Sequence, residues 1–584
     1  VSAAVGCPKS GGGAAAVAAG PTHTLIYGGD VFAARRLNAH LFDDEARPQI
    51  LGDLKPLLAT RDLAMLNLEG MVTLGGSFYM AGTSTYYFRA HPLLLDELKA
   101  VGVDLVTIGN NHMPDYGPEA LVEMTDRLTL AGIGYAGAGT DPADARRPVY
   151  RQVGEVVVAV IGGEMTYARR YRAGRGRAGV HYVAEAMINS DKDDAIVEAY
   201  TKLVGEAREH AHVVILSPHW DAHQKKPSVT PAMRALGARF IREAGADAVL
   251  AHGRHEMQGV ELFDGKPVIY DAGNTVLDYN TPGDDGVALL WEASFNKAGV
   301  TGLRGYPIDI GRAKTVRATG ERAVEIMKRG LAQSEAFGTA ARIVDDHIAI
   351  AADPGEARSP ASPSAPRRPV PGKVRRAPSS TLLAEVPAGA EVLDVAWEGG
   401  VQLKGFNLVM DKLTATRGAH QTVIVYLTTE QTIARHYEVQ LVLLHIGADE
   451  EGELRTLLVD DKGRLRKRPR TIERHLPGDW LHPTPRWRPG EVVQDITNVR
   501  YRFPDSGRVA FLVGVRDLGA SPVPGKDVDR LVKPTAKGNA VIIDNLVLLG
   551  ERSMAKDAQG LRRALEAFER ERADLLKLSP NQLQ

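Results

Sequence analysis

The residues able to do chemistry in this chain fall into five clusters, each just past an apolar run. Asp30 follows Leu25-Ile-Tyr-Gly-Gly, and Asn67 with Glu69 follows Leu63-Ala-Met-Leu. Gly109-Asn110-Asn111-His112 follows Leu105-Val-Thr-Ile. His219 follows Val213-Val-Ile-Leu-Ser-Pro, and His252 with His255 follows Ala248-Val-Leu-Ala. Short apolar runs of this kind read as strands. In open α/β sheets ligands bind outside the carboxyl ends of the strands, so parallel strands would bring all five clusters to one edge. Carboxylate, amide and imidazole groups together suit divalent ions of intermediate softness, Mn, Zn or Fe. A pair of such ions would polarise a phosphoryl oxygen and generate a hydroxide nucleophile. Chemistry alone therefore leads to a dinuclear-type metal site suited to phosphoester or amide hydrolysis.

The same residue types also have blander roles. Asp30 and Glu69 could cap helices, although beside three histidines ligation is the better reading. His40, His91 and His181 read as structural or exposed. Asp221 and His223 stay open between pocket lining and loop surface. The loop Arg169-Arg-Tyr-Arg172-Ala-Gly-Arg175-Gly-Arg177 follows an apolar strand and could hang over the same edge. Its arginines would suit a polyanion, yet a solvated loop is the slightly better reading. Arg464-Leu-Arg-Lys-Arg468-Pro-Arg470 reads as a hairpin tip. Ala136-Gly-Ala-Gly139 makes no nucleotide fingerprint, because a lone glycine cluster carries little information.

The elements that must position these groups alternate between strand and helix from residue 23 to 350, which implies an α/β domain. Strands are expected at Thr24–Tyr27, Leu63–Leu66, Asp104–Ile108, Val156–Ile161, Val213–Leu216, Ala248–Leu250 and Pro267–Tyr270. Helices are expected at Pro118–Ala131, Thr230–Ala244 and Gly320–Gly330, with more helix near Ala340–Ile350. Residues 351–383 are rich in Pro, Ser, Ala and Arg and read as an exposed linker. From 384 to 550, alternating segments separated by turn residues suggest an antiparallel β-sandwich. These segments are Val401–Leu408, Gln421–Leu427, His436–Leu444, Val509–Val515 and Ala540–Leu549. Trp480, Trp487 and Tyr501, near Asp479 and Arg486, fit either a polymer-binding platform or core packing. Residues 551–584 carry the spacing of an amphipathic helix.

At 584 residues the chain exceeds one hydrophobic core. Its hydrophobic content of 44% and charged content of 24% are those of a globular protein. A net charge of -1 gives no basic excess for nucleic-acid binding. The single cysteine excludes an internal disulfide. That residue, Cys7, follows small residues ending in Gly6 and precedes a Gly-rich stretch, as at the tail of a lipoprotein signal. Residues 1–22 would then be a tether, and lipid on Cys7 the means of membrane attachment. An incidental cysteine in an Ala/Gly-rich terminus reads equally well. No apolar run is long enough for a transmembrane helix.

The order Asp30, Asn67-Leu68-Glu69, Gly109-Asn110-Asn111-His112, His219-Trp220 and His252-x-x-His255 resembles the CapA (poly-γ-glutamate capsule synthesis) branch of the calcineurin-like metallophosphoesterases. Asn111-His112-Met-Pro-Asp115-Tyr-Gly117, Ile269-Tyr-Asp-Ala-Gly273-Asn274-Thr-Val-Leu-Asp278 and Ser334-Glu-Ala-Phe-Gly338-Thr339 support it. The resemblance covers about residues 22–350 and implies a metallophosphoesterase-like αββα sandwich. It makes Asp30 and His255 ligands of a first metal, Glu69 the bridging or nearly bridging group, and Asn111, His219 and His252 ligands of a second. It makes His112 the outer-sphere acid that protonates the leaving group or contacts the phosphoryl oxygen. Asn67, Asn110, Arg254 and Asn274 would act behind the ligands or on substrate. Two departures stand out. Phe32 occupies the place of a histidine in the broader superfamily, and Asn67-Leu68-Glu69 replaces its Gly-Asp-x-x-Asp block. The first site is thereby one ligand short. Arg254 stands where a proline is usual.

The expectation is a metal-dependent hydrolase of the cell envelope or extracellular space, holding one or two ions. It would act in synthesis, export or anchoring of an anionic polymer, beside other capsule or envelope assembly proteins. The alternatives are a non-catalytic surface scaffold and a phosphoesterase for small substrates.

Overall fold

The computed structural model describes residues 20–79, 86–166, 171–183, 193–220, 229–278, 286–379, 381–414, 418–446, 470–501, 507–524, 526–536, 540, 542–543 and 546–554. Cys7 and its tether, Asp221, His223, Arg169, Arg464 to Arg468 and the chain beyond 554 lie outside them.

Strand β1 (His23–Phe32) pairs in parallel with β2 (Leu63–Glu69), and β2 with β3 (Leu105–Thr107). On its other side β1 runs antiparallel to Val287–Asn296, and the sheet continues through Gly299–Gly311 and His347–Ala351. A separate sheet holds β4 (Val156–Glu164), β5 (Val213–His219), β6 (Ala248–Leu250) and β7 (Lys266–Ile269), joined in parallel. Parallel strands are buried on both faces and so read as unbroken apolar runs. Their pleat sends successive residues to opposite cores. Ile26 packs with Leu66 and Val106, whereas Leu25 and Tyr27 join Met65, Leu105, Val158, Ile215 and Leu250 between the sheets.

Helices cover the outer faces. Helices α1 (Leu93–Ala100) and α2 (Pro118–Leu130) lie on the first sheet, and α3 (Asp193–Arg208) and α4 (Pro231–Arg242) on the second. Helix α2 starts with a proline, whose missing N–H costs nothing in the first turn. Helix α4 is capped by Thr230, whose hydroxyl accepts from the Met233 N–H at 3.2 Å. Two facing sheets correct the single edge expected from the sequence. The chemical residues converge from the carboxyl ends of both.

Near Ala340–Ile350 the structure has strands, not helix. Ala341–Val344 and His347–Ala351 pair with Val344 opposite His347. Asp345 takes φ 49 in the turn, and Ile348 and Ile350 alternate into the core, a period of two that overrides helix formation.

Beyond the linker, two antiparallel sheets share one apolar core. One contributes Leu403, Phe406 and Val425, the other Leu441, Phe511 and Val547. Trp487 is buried in this core and Trp480 packs against the first domain, which favours packing over an open platform. Leu546–Met554 runs as a strand through Arg552, where the periodicity reads helix.

The linker is not free in solvent, which is a second correction. Arg358 pairs with Asp247, Arg368 with Asp144, and Arg375 with Asp126 at 2.6 Å. These carboxylates are largely buried and need countercharge. The two domains also touch directly. Asp479 accepts from Arg89 at 2.8 Å and from the Tyr116 hydroxyl, while Leu476, Trp480 and Leu518 pack on Ala39. Among the described residues no helix is long and apolar enough to cross a membrane.

Candidate metal centre

Asp30 is aimed by a local irregularity in β1. The pairing of β1 with β2 shifts register between Gly28 and Asp30, and such bulges re-aim a side chain. Gly29 is needed there, because a Cβ would stand 1.9 Å from the Gly273 carbonyl oxygen. The Asp30 N–H donates to that same oxygen at 3.0 Å. From the facing sheet, β5 ends at His219, and the turn after β6 carries His252 and His255, the latter at φ 66. Non-glycine residues rarely adopt that conformation, and its strain is of a kind that collects at functional sites.

The side chains meet in two triads that share Asp30. Asp30, His219 and His252 offer ligand atoms within 4.8 Å of one another, and so do Asp30, Glu69 and His255. His255 Nδ1 lies 2.9 Å from Asp30 Oδ2 and 3.5 Å from Glu69 Oε2. His252 Nδ1 lies 3.7 Å from Asp30 Oδ1 and 2.8 Å from His219 Nδ1. The shared carboxylate is Asp30, whereas the family resemblance gives the bridging place to Glu69.

A surrounding set of hydrogen bonds fixes these groups. Asn67 donates to Asp30 Oδ1 at 2.6 Å and accepts from the Thr107 hydroxyl at 3.0 Å. Asn110 donates to the Leu68 carbonyl at 3.0 Å. Asn274 stands in register with Asp30 and donates to the His255 carbonyl at 3.1 Å. The Arg254 N–H donates to Asp271 at 2.6 Å. His112 pairs with Asp115 at 2.8 Å through Nδ1, leaving Nε2 4.0 Å from Glu69 Oε1. Its ring stacks on Phe88 at 4.0 Å, and the Phe88 N–H also donates to Asp115. Phe32 closes the site with its ring 5.0 Å from that of His255.

Burial sets the electrostatics. It pushes the Glu69 carboxyl up to about 8 against the opposing pull of His255, and raises Asp271 well above the carboxylate range. It holds His252 down to about 3 and His219 well below the imidazole range. His255 is the exception. Burial lowers it, but Glu69 and Asp30 outweigh that and push it up to about 10. A proton on His255 thus compensates the acidic cluster, a place that a divalent cation would take with release of that proton.

The unpartnered atoms fit a cation as well. Both Glu69 oxygens, Asn111 Oδ1 and His219 Nε2 are buried without a hydrogen-bond partner among the described residues. Native structures rarely leave such groups unsatisfied unless something else binds there.

Several residues in this arrangement are not singled out by the sequence. Asp115 carries a signal, since it stands three residues from His112 in a tight turn. Asp271 directly follows the expected strand Pro267–Tyr270 and so carries the same signal as the five clusters, whereas Thr107 and Phe88 carry none, because only the fold brings them to the site. Gly253 is legible only in three dimensions, as its missing side chain makes room for the His219 ring.

Residues 24–279 match the model of the bacterial capsule synthesis protein PGA_cap family. A probable polyglutamine synthesis accessory protein of Mycobacterium tuberculosis is 29% identical over 222 residues, 37% of this chain and 56% of that protein. The PGA biosynthesis protein CapA of Bacillus subtilis is 24% identical over 287 residues, 49% of this chain and 71% of its own length. The capsule biosynthesis protein CapA of Bacillus anthracis is 24% identical over 257 residues, covering 44% of this chain and 60% of that one. The match thus spans little more than half of the mycobacterial relative.

Proposed function

We propose, from the match of residues 24–279 to the bacterial capsule synthesis protein family and its CapA relatives, a role in making, exporting or anchoring an anionic, poly-γ-glutamate-like polymer. The reaction is metal-dependent hydrolysis of a phosphoester or amide bond. We read the first domain as a metallophosphoesterase-like αββα sandwich and residues 384–550 as a β-sandwich with a binding or assembly role. The cell envelope or extracellular space is the place of action, with lipid on Cys7 as the attachment.

The observation that carries this reading is the pair of triads on Asp30, edged by buried donor atoms without partners. Asp30, Glu69 and His255 would hold one ion, and Asp30, His219, His252 and Asn111 the other, with Mn, Zn or Fe as the fitting metals. Bound there, the metal supplies Lewis-acid polarisation and a hydroxide nucleophile at neutral pH. The chain's own residues do the rest. His112 is oriented through Nδ1 by Asp115, so its Nε2 faces the Glu69 side and can pass a proton to the leaving group. Asn67 holds Asp30, and Thr107 holds Asn67. Phe32 and Phe88 form a dry wall that strengthens every charge interaction inside.

One observation favours the scaffold reading. Phe32 offers the first triad no ligand, so that site has three side chains where a complete one has four. Elemental analysis of the wild type and His219→Ala separates the two. About two equivalents of metal per chain, lowered by the substitution, supports hydrolysis. Turnover of phosphoester or amide substrates should then vanish in His112→Ala while its metal content stays. Metal content that is nil, or indifferent to His219, overturns the hydrolytic reading.

A further inference from the structure

The second domain reaches the candidate metal centre through one carboxylate. His112, the candidate proton donor, is held from two separate segments of the first domain. Asp115 takes its Nδ1 at 2.8 Å, and the Phe88 ring stacks on its ring at 4.0 Å. An ionised carboxylate only accepts, so Nδ1 carries the hydrogen and Nε2 is the nitrogen left to exchange a proton. The chain neighbours of these two holders, Arg89 and Tyr116, both meet Asp479. Asp479 Oδ2 accepts from the Arg89 guanidinium at 2.8 Å and from the Tyr116 hydroxyl. The same guanidinium lies over the Tyr116 ring, 4.0 Å from its centroid. One oxygen of the second domain thus ties together the two segments that hold His112.

The tie is anchored at both ends. In the first domain Arg89 and Tyr116 are buried, and the Met71 N–H, just past Glu69, donates to the Phe88 carbonyl at 2.9 Å. In the second domain the Asp479 N–H donates to Asp495 at 3.2 Å, and Asp495 is paired with His475 at 2.9 Å. Asp479 and Trp480 take φ 54 and 70. Non-glycine residues adopt that conformation at a cost, and it persists where the surroundings over-determine it. Docking alone would be served by any ion pair, such as the one Lys526 makes with Asp43 at 2.9 Å elsewhere in the same joint. Asp479 differs because both of its partners adjoin residues that touch His112. It also lies outside residues 24–279, the part matched to the capsule synthesis family.

We propose that Asp479 is a positioning residue for the metal centre, acting from the second domain through Arg89 and Tyr116 to keep His112 Nε2 on the Glu69 side. The inference rests on the hydrolytic function proposed above and deepens it, because it makes the second domain part of the catalytic unit. The proton passes from His112 Nε2 to the leaving oxygen, and the neutral ring keeps its Nδ1 hydrogen on Asp115. Asp479 exchanges no proton in this step.

The test compares the full chain with Asp479→Asn, Tyr116→Phe and Lys526→Ala. Tyr116→Phe removes only a hydroxyl, so it tests the tie even where Asp479→Asn costs too much stability. The first readout needs no turnover. Nitrogen NMR of isotope-labelled histidines, with the His112 signal identified by its loss in His112→Gln, should show the Nδ1–H tautomer in the wild type. Asp479→Asn and Tyr116→Phe should shift it to a mixture of tautomers, and Lys526→Ala, which loosens the joint elsewhere, should not. The second readout is hydrolysis of an alkyl phosphate, whose leaving oxygen needs a proton, against para-nitrophenyl phosphate, whose leaving oxygen does not. In the first two variants kcat for the alkyl ester should fall about tenfold or more, with KM, metal content and the nitrophenyl rate changed less than about twofold. A wild-type tautomer in those variants, an equal change in Lys526→Ala, or an equal loss on both esters overturns the positioning role. If the tautomer shifts as expected but no phosphoester or amide is turned over, the positioning stands and the hydrolytic reading falls. If both esters are turned over by the variants as by the wild type, hydrolysis stands and the positioning falls.

Discussion

Gly253 lies between His252 and His255 at φ 115, and a Cβ there would stand 3.0 Å from the His219 ring and from the Trp220 carbonyl oxygen. Neither a relaxed backbone nor the space exists for a side chain. Gly253→Ala should therefore cost about 1–3 kcal/mol in denaturant unfolding and lower the metal content. Unchanged stability and metal content would mean that the His219 ring can move aside. The chemical residues themselves are legible in the sequence because a polar group directly after an apolar strand stands at the strand's carboxyl end, where ligands bind. Asp30 is legible there as a candidate ligand but not as the carboxylate common to both triads. That depends on the facing sheet, which delivers His219 and His252 to one of its oxygens and leaves the other to His255.

The linker shows how an element can be misplaced even when its composition is correctly read. Pro, Ser and Arg do keep it from burying a core, yet its arginines find carboxylates that the first domain leaves at its surface. Arg368 and Asp144 are 11% and 15% exposed, and the Arg368 guanidinium also lies 4.2 Å from the Tyr135 ring centroid. Arg368→Ala should cost about 1–3 kcal/mol, as for a charged hydrogen bond shielded from water. The Arg375 side chain is 58% exposed, so Arg375→Ala should cost less than about 1 kcal/mol. Denaturant melts of the two variants check the order, and equal small losses would mean that the linker is loosely held. The strand pair Ala341–Val344 and His347–Ala351 resembles helix in its sequence for a related reason. Short apolar segments fit either period until a neighbouring strand supplies the ladder.

At the level of the whole molecule, the domains are joined by charges that neither could bury alone. Arg89 is 1% exposed beside Asp479, and removal of one partner strands the other. Asp479→Ala should cost about 3–5 kcal/mol, read as an earlier unfolding transition, and a loss under about 1 kcal/mol would mean that water reaches Arg89. Acid should loosen the same joint. Burial holds His91 down to about 3, and His436 and His482 down to about 4, with Arg486 adding to each. Their neutral forms stabilise docking above the free imidazole value of about 6.5. That contribution is lost as pH falls towards the docked values, by up to about 1.4 kcal/mol per pH unit for each. Asp479, raised by burial, works in the opposite direction but is one group against three. Small-angle scattering and proteolysis should show a looser molecule at pH 5 than at pH 7, and identical behaviour would contradict these burial shifts.

Residue type and spacing are enough to establish the chemistry on offer and the order of the strands that carry it. A carboxylate, an amide or an imidazole after a buried run is a local fact, written in residue type and spacing. Chain length adds that there is more than one core. Which groups come within ligating distance of one another, and that the Phe32 ring walls the site beside His255, depend on the tertiary structure alone. Those relations hold between residues far apart in the chain, across two sheets. Nothing in local periodicity records the distance between one sheet's strand ends and another's.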